Sequence, residues 1–186
     1  MPQAEHIHKE TTRYDHDDPS IIELLGRYGN LVFNSQPTEY EYVELAAEFL
    51  RDAPIFGSLC DIGAGEGATA LALAALIDRE VVAVEIVDER AVRIAERARQ
   101  FGIENLEVVA ADARYVPIVD YAGLYMFSPF FDAEADLFLA RIAAECRAGT
   151  RIVGQGMIAK RMRAIPQFRE IGSGGRWNWC TAVLDI

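Results

Sequence analysis

Leu59-Cys60-Asp61-Ile62-Gly63-Ala64-Gly65-Glu66-Gly67-Ala68 decides how the chain folds, because an apolar run ends there at an acid and three closely spaced glycines. Ile55 to Ile62 reads as a buried strand, and Ala68 to Ile77, rich in alanine and leucine, as the helix packed against it. Glycines at the junction permit positive φ and let a ligand approach the backbone, while the start of the helix presents N–H groups that have no intrahelical partner. Such a turn is suited to a nucleotide-type ligand at the first crossover of a doubly wound sheet.

Outward from this turn, strand and helix signals alternate. Strands are predicted over Val81 to Ile86, Leu106 to Ala110, Tyr121 to Phe127 and Thr150 to Gly154, with helices over Glu89 to Phe101 and Ala133 to Arg147. Upstream, Pro19 to Phe33 reads as a short helix ended by Gly26 or Gly29. Thr38 with Glu41 forms a capping box for a helix through Leu50 that buries Val43, Ala46, Ala47 and Leu50. The tail from Phe168 to Ile186 reads as a hairpin around Gly172-Ser173-Gly174-Gly175, its last strand near Trp177 to Leu184. The expected fold is α/β: one doubly wound, mainly parallel seven-stranded sheet with helices on both faces.

Composition narrows the function. At 186 residues the chain suits one domain with a substantial core and is short for a cofactor domain plus a substrate domain. Hydrophobic residues make up 51%, yet the apolar runs are broken by charges, so no membrane span is expected. The leader around Glu5, His6, His8 and Lys9 lacks the order of a secretory signal, which makes a cytoplasmic location the default and a solvated tail the expected structure. Cys60, Cys146 and Cys180 read as buried thiols, and no metal site is expected. Net charge is −11, with ten acids against three bases up to Leu50 and eight bases against three acids from Arg141 onward. That balance argues against a nucleic-acid partner, and Lys160-Arg161-Met162-Arg163 reads as a solvated helix face.

Gly63, Gly65 and Ala68 alone also satisfy the dinucleotide fingerprint. The fuller spacing, acid-x-Gly-x-Gly-x-Gly from Asp61 to Gly67, resembles the S-adenosylmethionine-dependent methyltransferases of the Rossmann-like class, from about Thr38 to the C-terminus. The resemblance implies a partly helical polar lead-in over 1–36 and a methyltransferase domain over 37–186, with an antiparallel last strand. It also implies S-adenosyl-L-methionine as cofactor, cradled by Gly63, Ala64, Gly65 and Gly67, with Asp61 facing the methionine ammonium. Glu85 closes the second strand, where an acid can accept from both ribose hydroxyls, with Ile86 beside it. Asp112, with Ala113, follows the third strand, where the resemblance puts an acid beside the adenine amino group.

The fourth strand ends in Tyr125-Met126-Phe127-Ser128-Pro129-Phe130-Phe131, where amino-group methyltransferases often carry Asp or Asn, two prolines and an aromatic. Ser128 stands in place of the Asp or Asn, and Phe130 in place of the second proline. The Ser128 hydroxyl, or a backbone carbonyl nearby, is the candidate to accept an acceptor N–H, with Phe127 or Phe131 walling the site and Phe127 counted among the cofactor contacts; the bland reading is a proline turn flanked by core phenylalanines. Tyr28-Gly29, Pro37-Thr38 and the aromatic strand end are loosely similar to small protein-lysine methyltransferases, which makes Thr38 and Tyr40 further cofactor candidates. Trp177 and Trp179 are expected on one face of the last strand. The leading expectation is methyl transfer to nitrogen, a protein lysine among the options, with the acidic N-terminal segment drawing a basic protein. The alternatives are a small-molecule N- or O-methyltransferase, an NAD-linked oxidoreductase, or a module that holds the cofactor without turnover; oligomeric state is left open.

Overall fold

The computed structural model describes residues 2–12, 21–28, 38–175 and 178–185. Their order is α1 (Pro2–Thr11), α2 (Ile21–Tyr28), α3 (Tyr40–Arg51), β1 (Leu59–Ile62), α4 (Ala68–Leu76), β2 (Val81–Glu85), α5 (Asp88–Phe101), β3 (Leu106–Ala110), β4 (Gly123–Phe127), α6 (Asp132–Glu145), β5 (Arg151–Gln155), α7 (Met157–Met162), β6 (Phe168–Gly174) and β7 (Trp179–Leu184). Seven strands form one sheet in the order β3-β2-β1-β4-β5-β7-β6, all parallel except β7, which runs antiparallel to both neighbours. The chain reverses its direction of winding between β1 and β4, so a crevice opens over the carboxyl ends of those strands.

Both faces of the sheet are covered, as the near-continuous burial along β1, β2 and β4 shows. One layer is built on α6 and α7 through Phe138, Leu139, Ile142, Ile158 and Met162. The opposite layer is built on α3, α4 and α5 through Val43, Ala46, Leu50, Leu73 and Ile94. All three cysteines are buried and free. Among the described residues, no helix is long and apolar enough to cross a membrane.

Several local expectations give way to tertiary packing. β1 starts at Leu59, four residues later than Ile55, because Ile55 to Ser58 follows Pro54 outside the ladder. No capping box forms: Glu39 is the N-cap of α3 without a side-chain cap bond, and the Thr38 hydroxyl turns inward to Tyr125 and Gln155. The expected solvated leader is also corrected. Its first part is helix α1, whose Ala4, Ile7, His8 and Thr11 are buried, with Ile7 against Leu71 and Ala98. Those residues fall at spacings of three, one and three, an apolar stripe whose interruption by His8 hides it from a sequence reading. Trp177, Gly29 and Pro37 lie outside the described residues; Trp179 packs on Tyr42 with ring centroids 5.7 Å apart.

Candidate functional site

A cavity of about 540 Å³ lies over the switch point, lined by residues from the glycine turn, the ends of β2 and β4, the turn after β3 and the start of α7. The turn itself depends on backbone that only glycine adopts freely. Gly67 sits at φ +84°, where an added Cβ would lie 2.6 Å from Ile94 Cγ1, and Gly63 at φ +74°, where it would lie 2.7 Å from Pro129 Cβ. Gly67 thus sets how close α5 comes to the turn, and Gly63 sets how close the β4 exit comes.

Three acids come from the ends of three successive strands. Glu85 accepts from the Gly65 N–H at 2.7 Å (Oε2) and the Val87 N–H at 3.0 Å (Oε1), so it ties the glycine turn to the loop after β2. Its carboxyl is raised by burial, against the lowering effect of those two N–H groups and of Arg90. Asp61 is 2% exposed, and burial first, then the charge of Glu85, pushes its carboxyl up to about 7. Its Oδ2 is buried with no hydrogen-bond partner. A desolvated carboxylate with an open oxygen is a strong acceptor for a cation. Asp112 differs. Burial works to raise it, but the Arg114 guanidinium, bonded at 2.6 and 3.0 Å, and the Arg114 N–H outweigh that and hold it low.

Beyond β4 the rim is aromatic. Phe131 is 41% exposed and Met157 44%, while Phe130 turns inward onto Phe138 at a centroid distance of 4.6 Å. Ser128 adopts φ +43°, an uncommon conformation for a residue with a side chain. Its hydroxyl donates to the Gln155 carbonyl at 3.0 Å and accepts the Met157 N–H at 2.7 Å, stitching the β4 exit to the start of α7. One acceptor lone pair is left over.

Residues 59–149 match the family model described as a methyltransferase domain. That stretch, just under half of the chain, is similar to methyltransferase domains, and with it goes S-adenosylmethionine-dependent methyl transfer as the activity. The match stops short of the last three strands, but solved structures cover more of the methyltransferase. An RNA methyltransferase from Salinibacter ruber, determined with S-adenosyl-L-homocysteine, is 18% identical over 81% of this chain and 94% of its own, with a TM-score of 0.66. A ribosomal protein L11 methylase from Lactobacillus delbrueckii subsp. bulgaricus is 18% identical over 80% and 81%, with a TM-score of 0.63. An S-adenosylmethionine-dependent O-methyltransferase from Thermotoga maritima is 14% identical over 90% and 72%, with a TM-score of 0.64. At such identities the likeness concerns the fold. No curated protein matches the sequence at a significant level.

The residues of the methyltransferase fit its cofactor: a ligand with a sulfonium and an ammonium meets Asp61, Glu85 and Asp112 around a glycine turn. Of the candidates from sequence, Thr38, Asp61, Gly63, Ala64, Gly65, Glu85, Ile86, Asp112, Ala113, Phe127, Ser128 and Phe131 all line the cavity. Two stand apart. Gly67 is not in the lining and shapes the turn from behind, against Ile94. Tyr40 points away, its ring against His8 at 5.4 Å. Sequence reasoning missed Thr69, Arg90 and Tyr125 in the lining, and Gln155 directly behind Tyr125. A polar residue ending the strand Arg151-Ile152-Val153-Gly154-Gln155 is the signal that could have found the last.

Proposed function

We propose that the methyltransferase acts on a nitrogen atom of a basic acceptor, a lysine side chain of a protein being the leading case, and that the acceptor enters between Phe131 and Met157. One observation carries the proposal. Thr38 lines the cavity, the next residues of the chain include the exposed acids Glu39 and Glu41, and the aromatic side chains Phe127 and Phe131 share the lining. Negative charge outside and aromatic faces inside draw and hold a cationic side chain.

When bound, S-adenosylmethionine supplies an electrophilic methyl group on a positively charged sulfur. The protein then has to position a neutral nitrogen in line with it and keep water away. In this proposal Asp61 faces the donor's ammonium, Glu85 its ribose hydroxyls and Asp112 its adenine amino group. The remaining lone pair of Ser128 accepts one N–H of the acceptor and turns the nitrogen's own pair toward the methyl. Phe127 and Phe131 exclude water. The acceptor's proton leaves to solvent through the open rim, so the proposal needs no dedicated base.

The experiment is incubation with methyl-labelled S-adenosylmethionine and a cell extract, followed by separation of protein, nucleic acid and small molecules. Label recovered as methyl-lysine from protein is the expected result. Label confined to small molecules would move the reading to a small-molecule N- or O-methyltransferase, and label in nucleic acid would overturn the acceptor assignment. Ser128→Ala tests the positioning role: lost transfer with unchanged cofactor affinity supports it, and unchanged transfer removes it.

A further inference from the structure

Every connection between the parallel strands carries a helix except one. α4 joins β1 to β2, α5 joins β2 to β3, α6 joins β4 to β5 and α7 leads on to β6, whereas residues 111–122 join β3 to β4 without a helix. That connection shares the face that α6 covers, where its Val116 and Ile118 are buried in one cluster with Val82 and Val84 of β2. The cover thins at β3, the edge of the sheet: every residue of β2 is buried, and none of β3 is. Beside β3 lies a second hollow of about 490 Å³, lined by Val109 and, from the connection, by Tyr115, Val116, Pro117, Asp120 and Tyr121.

The walls of this hollow select what fits it. They are apolar and open: Val109 is half-buried, and Tyr115 is 79% exposed. The rim is acidic. Glu107 lies two residues before Val109 and so on the same face of β3, and it is exposed, as is Asp120. Burial above all, then Cys60 and the carboxylates of Glu107 and Glu80, raises the Tyr121 hydroxyl, which sets both carboxylates at that end of the hollow. Nearby arginines are engaged elsewhere: Arg114 pairs with Asp112 and Glu134, and Arg147 donates to the carbonyls of Phe56 and Asp120. Among the described residues, no ion pair takes up Glu107 or Asp120. A nucleic acid would meet these carboxylates with its phosphates. A second copy docked about a two-fold axis would bring Glu107 and Asp120 against a like-charged rim. A small cation would leave the apolar wall wet.

We propose that the hollow beside β3 is a docking site for a basic amphipathic helix of a partner protein, which takes the place of the crossover helix that this connection lacks. A helix is the element that covers this face elsewhere in the sheet, through α6 and α7. The apolar stripe of the partner lies on Val109, Tyr115 and Pro117, and its lysines or arginines reach Glu107 and Asp120. The Tyr115 ring already holds the Arg114 guanidinium 5.6 Å from its centre, so its faces suit a cation. This surface goes beyond methyl transfer and uses none of its chemistry. Ala111 and Asp112 line both the hollow and the cavity over the switch point, so the partner docks against a wall of that cavity.

The test presents the full chain with two synthetic amphipathic helical peptides, one of leucine and lysine, the other of leucine and glutamate. Binding is followed by fluorescence anisotropy and mapped by hydrogen exchange. The lysine peptide is expected to bind and to protect residues 106–121, and the glutamate peptide is expected not to bind. Glu107→Lys combined with Asp120→Lys should weaken the lysine peptide about tenfold or more, as reversing two rim charges does. Tyr115→Ser should weaken it through the apolar wall instead. All three side chains are exposed, so these changes leave the core alone. No binding of the lysine peptide, protection confined to another surface, or an affinity that neither change moves would overturn the proposal. Equal binding of both peptides would overturn it too, since it marks apolar adhesion without charge preference. Self-association of the chain that the same substitutions abolish would replace the partner helix by a second copy and so refute the occupant proposed.

Discussion

Replacing Asp61 by asparagine should make the ligand-free protein relatively more stable as the pH rises. Burial lifts the Asp61 carboxyl from 3.8 to about 7 in the folded chain. Ionising it there costs about 4 kcal/mol more than ionising it in the unfolded chain, at 1.36 kcal/mol for each tenfold change in proton affinity. Between those two values the folded state holds the proton more tightly, so this residue's contribution is greatest below 3.8, falls as the pH rises to about 7, and is flat above. About 2 kcal/mol of the loss falls between about pH 5.5 and about pH 8.5. Asparagine keeps an oxygen for the Ala70 N–H and cannot ionise. Urea unfolding of wild type and Asp61→Asn at both pH values isolates the term, because every other titrating group is common to the two proteins. The expected result is that wild type loses about 2 kcal/mol relative to the variant between the two conditions. Parallel behaviour across that range would refute the reasoning, since it would mean that Asp61 is ionised at both values at no special cost.

Glu85→Ala should weaken S-adenosylmethionine binding by about 1.5–3 kcal/mol in calorimetry, the range for hydrogen bonds to a charged group, and an unchanged affinity would move the ribose elsewhere. Gly67→Ala should destabilise the fold by about 1–3 kcal/mol, because the new Cβ meets Ile94 and the backbone lies in the left-handed region; a shift in thermal midpoint measures it. His8 is held below its ordinary 6.5 by burial, although a hydrogen bond to the Thr38 backbone works the other way. Its neutral form is favoured in the fold, so stability is full above 6.5 and declines as the pH falls toward the folded value. His8→Gln should flatten that decline in pH-dependent unfolding, and an identical decline in the variant would exclude His8 as its source.

The legible and illegible parts of this protein differ in the range of the interactions that set them. Asp61, the glycines, Glu85 and Asp112 can be read from the chain because each lies where an apolar strand stops, and a parallel sheet brings all such ends to one edge. Thr38 was misread as a cap because its local partner, Glu41, is visible in sequence, whereas Tyr125 and Gln155, 87 and 117 residues away, are set by strand order and register. α1 was misread because five of its ten residues are charged or histidine, and only the packing partner on α4 makes sense of Ile7. Ser128 was found by position, but its existing bonds to the Gln155 carbonyl and the Met157 N–H follow from the approach of β5, which no local pattern encodes.

α4 has almost no polar face: from Ala68 to Ala74 every residue is buried. Beyond the strands it packs on, its concealment falls to α1 and α3, which precede the stretch 59–149 that matches the family model. A fragment trimmed to the matched stretch would therefore leave one flank of this helix wet and turn β4, an interior strand of the intact sheet, into an unprotected edge. The glycine-turn stretch is thus not a unit that could be transplanted or expressed by itself, and the unremarkable N-terminal helix belongs to its solubility as much as any surface charge does.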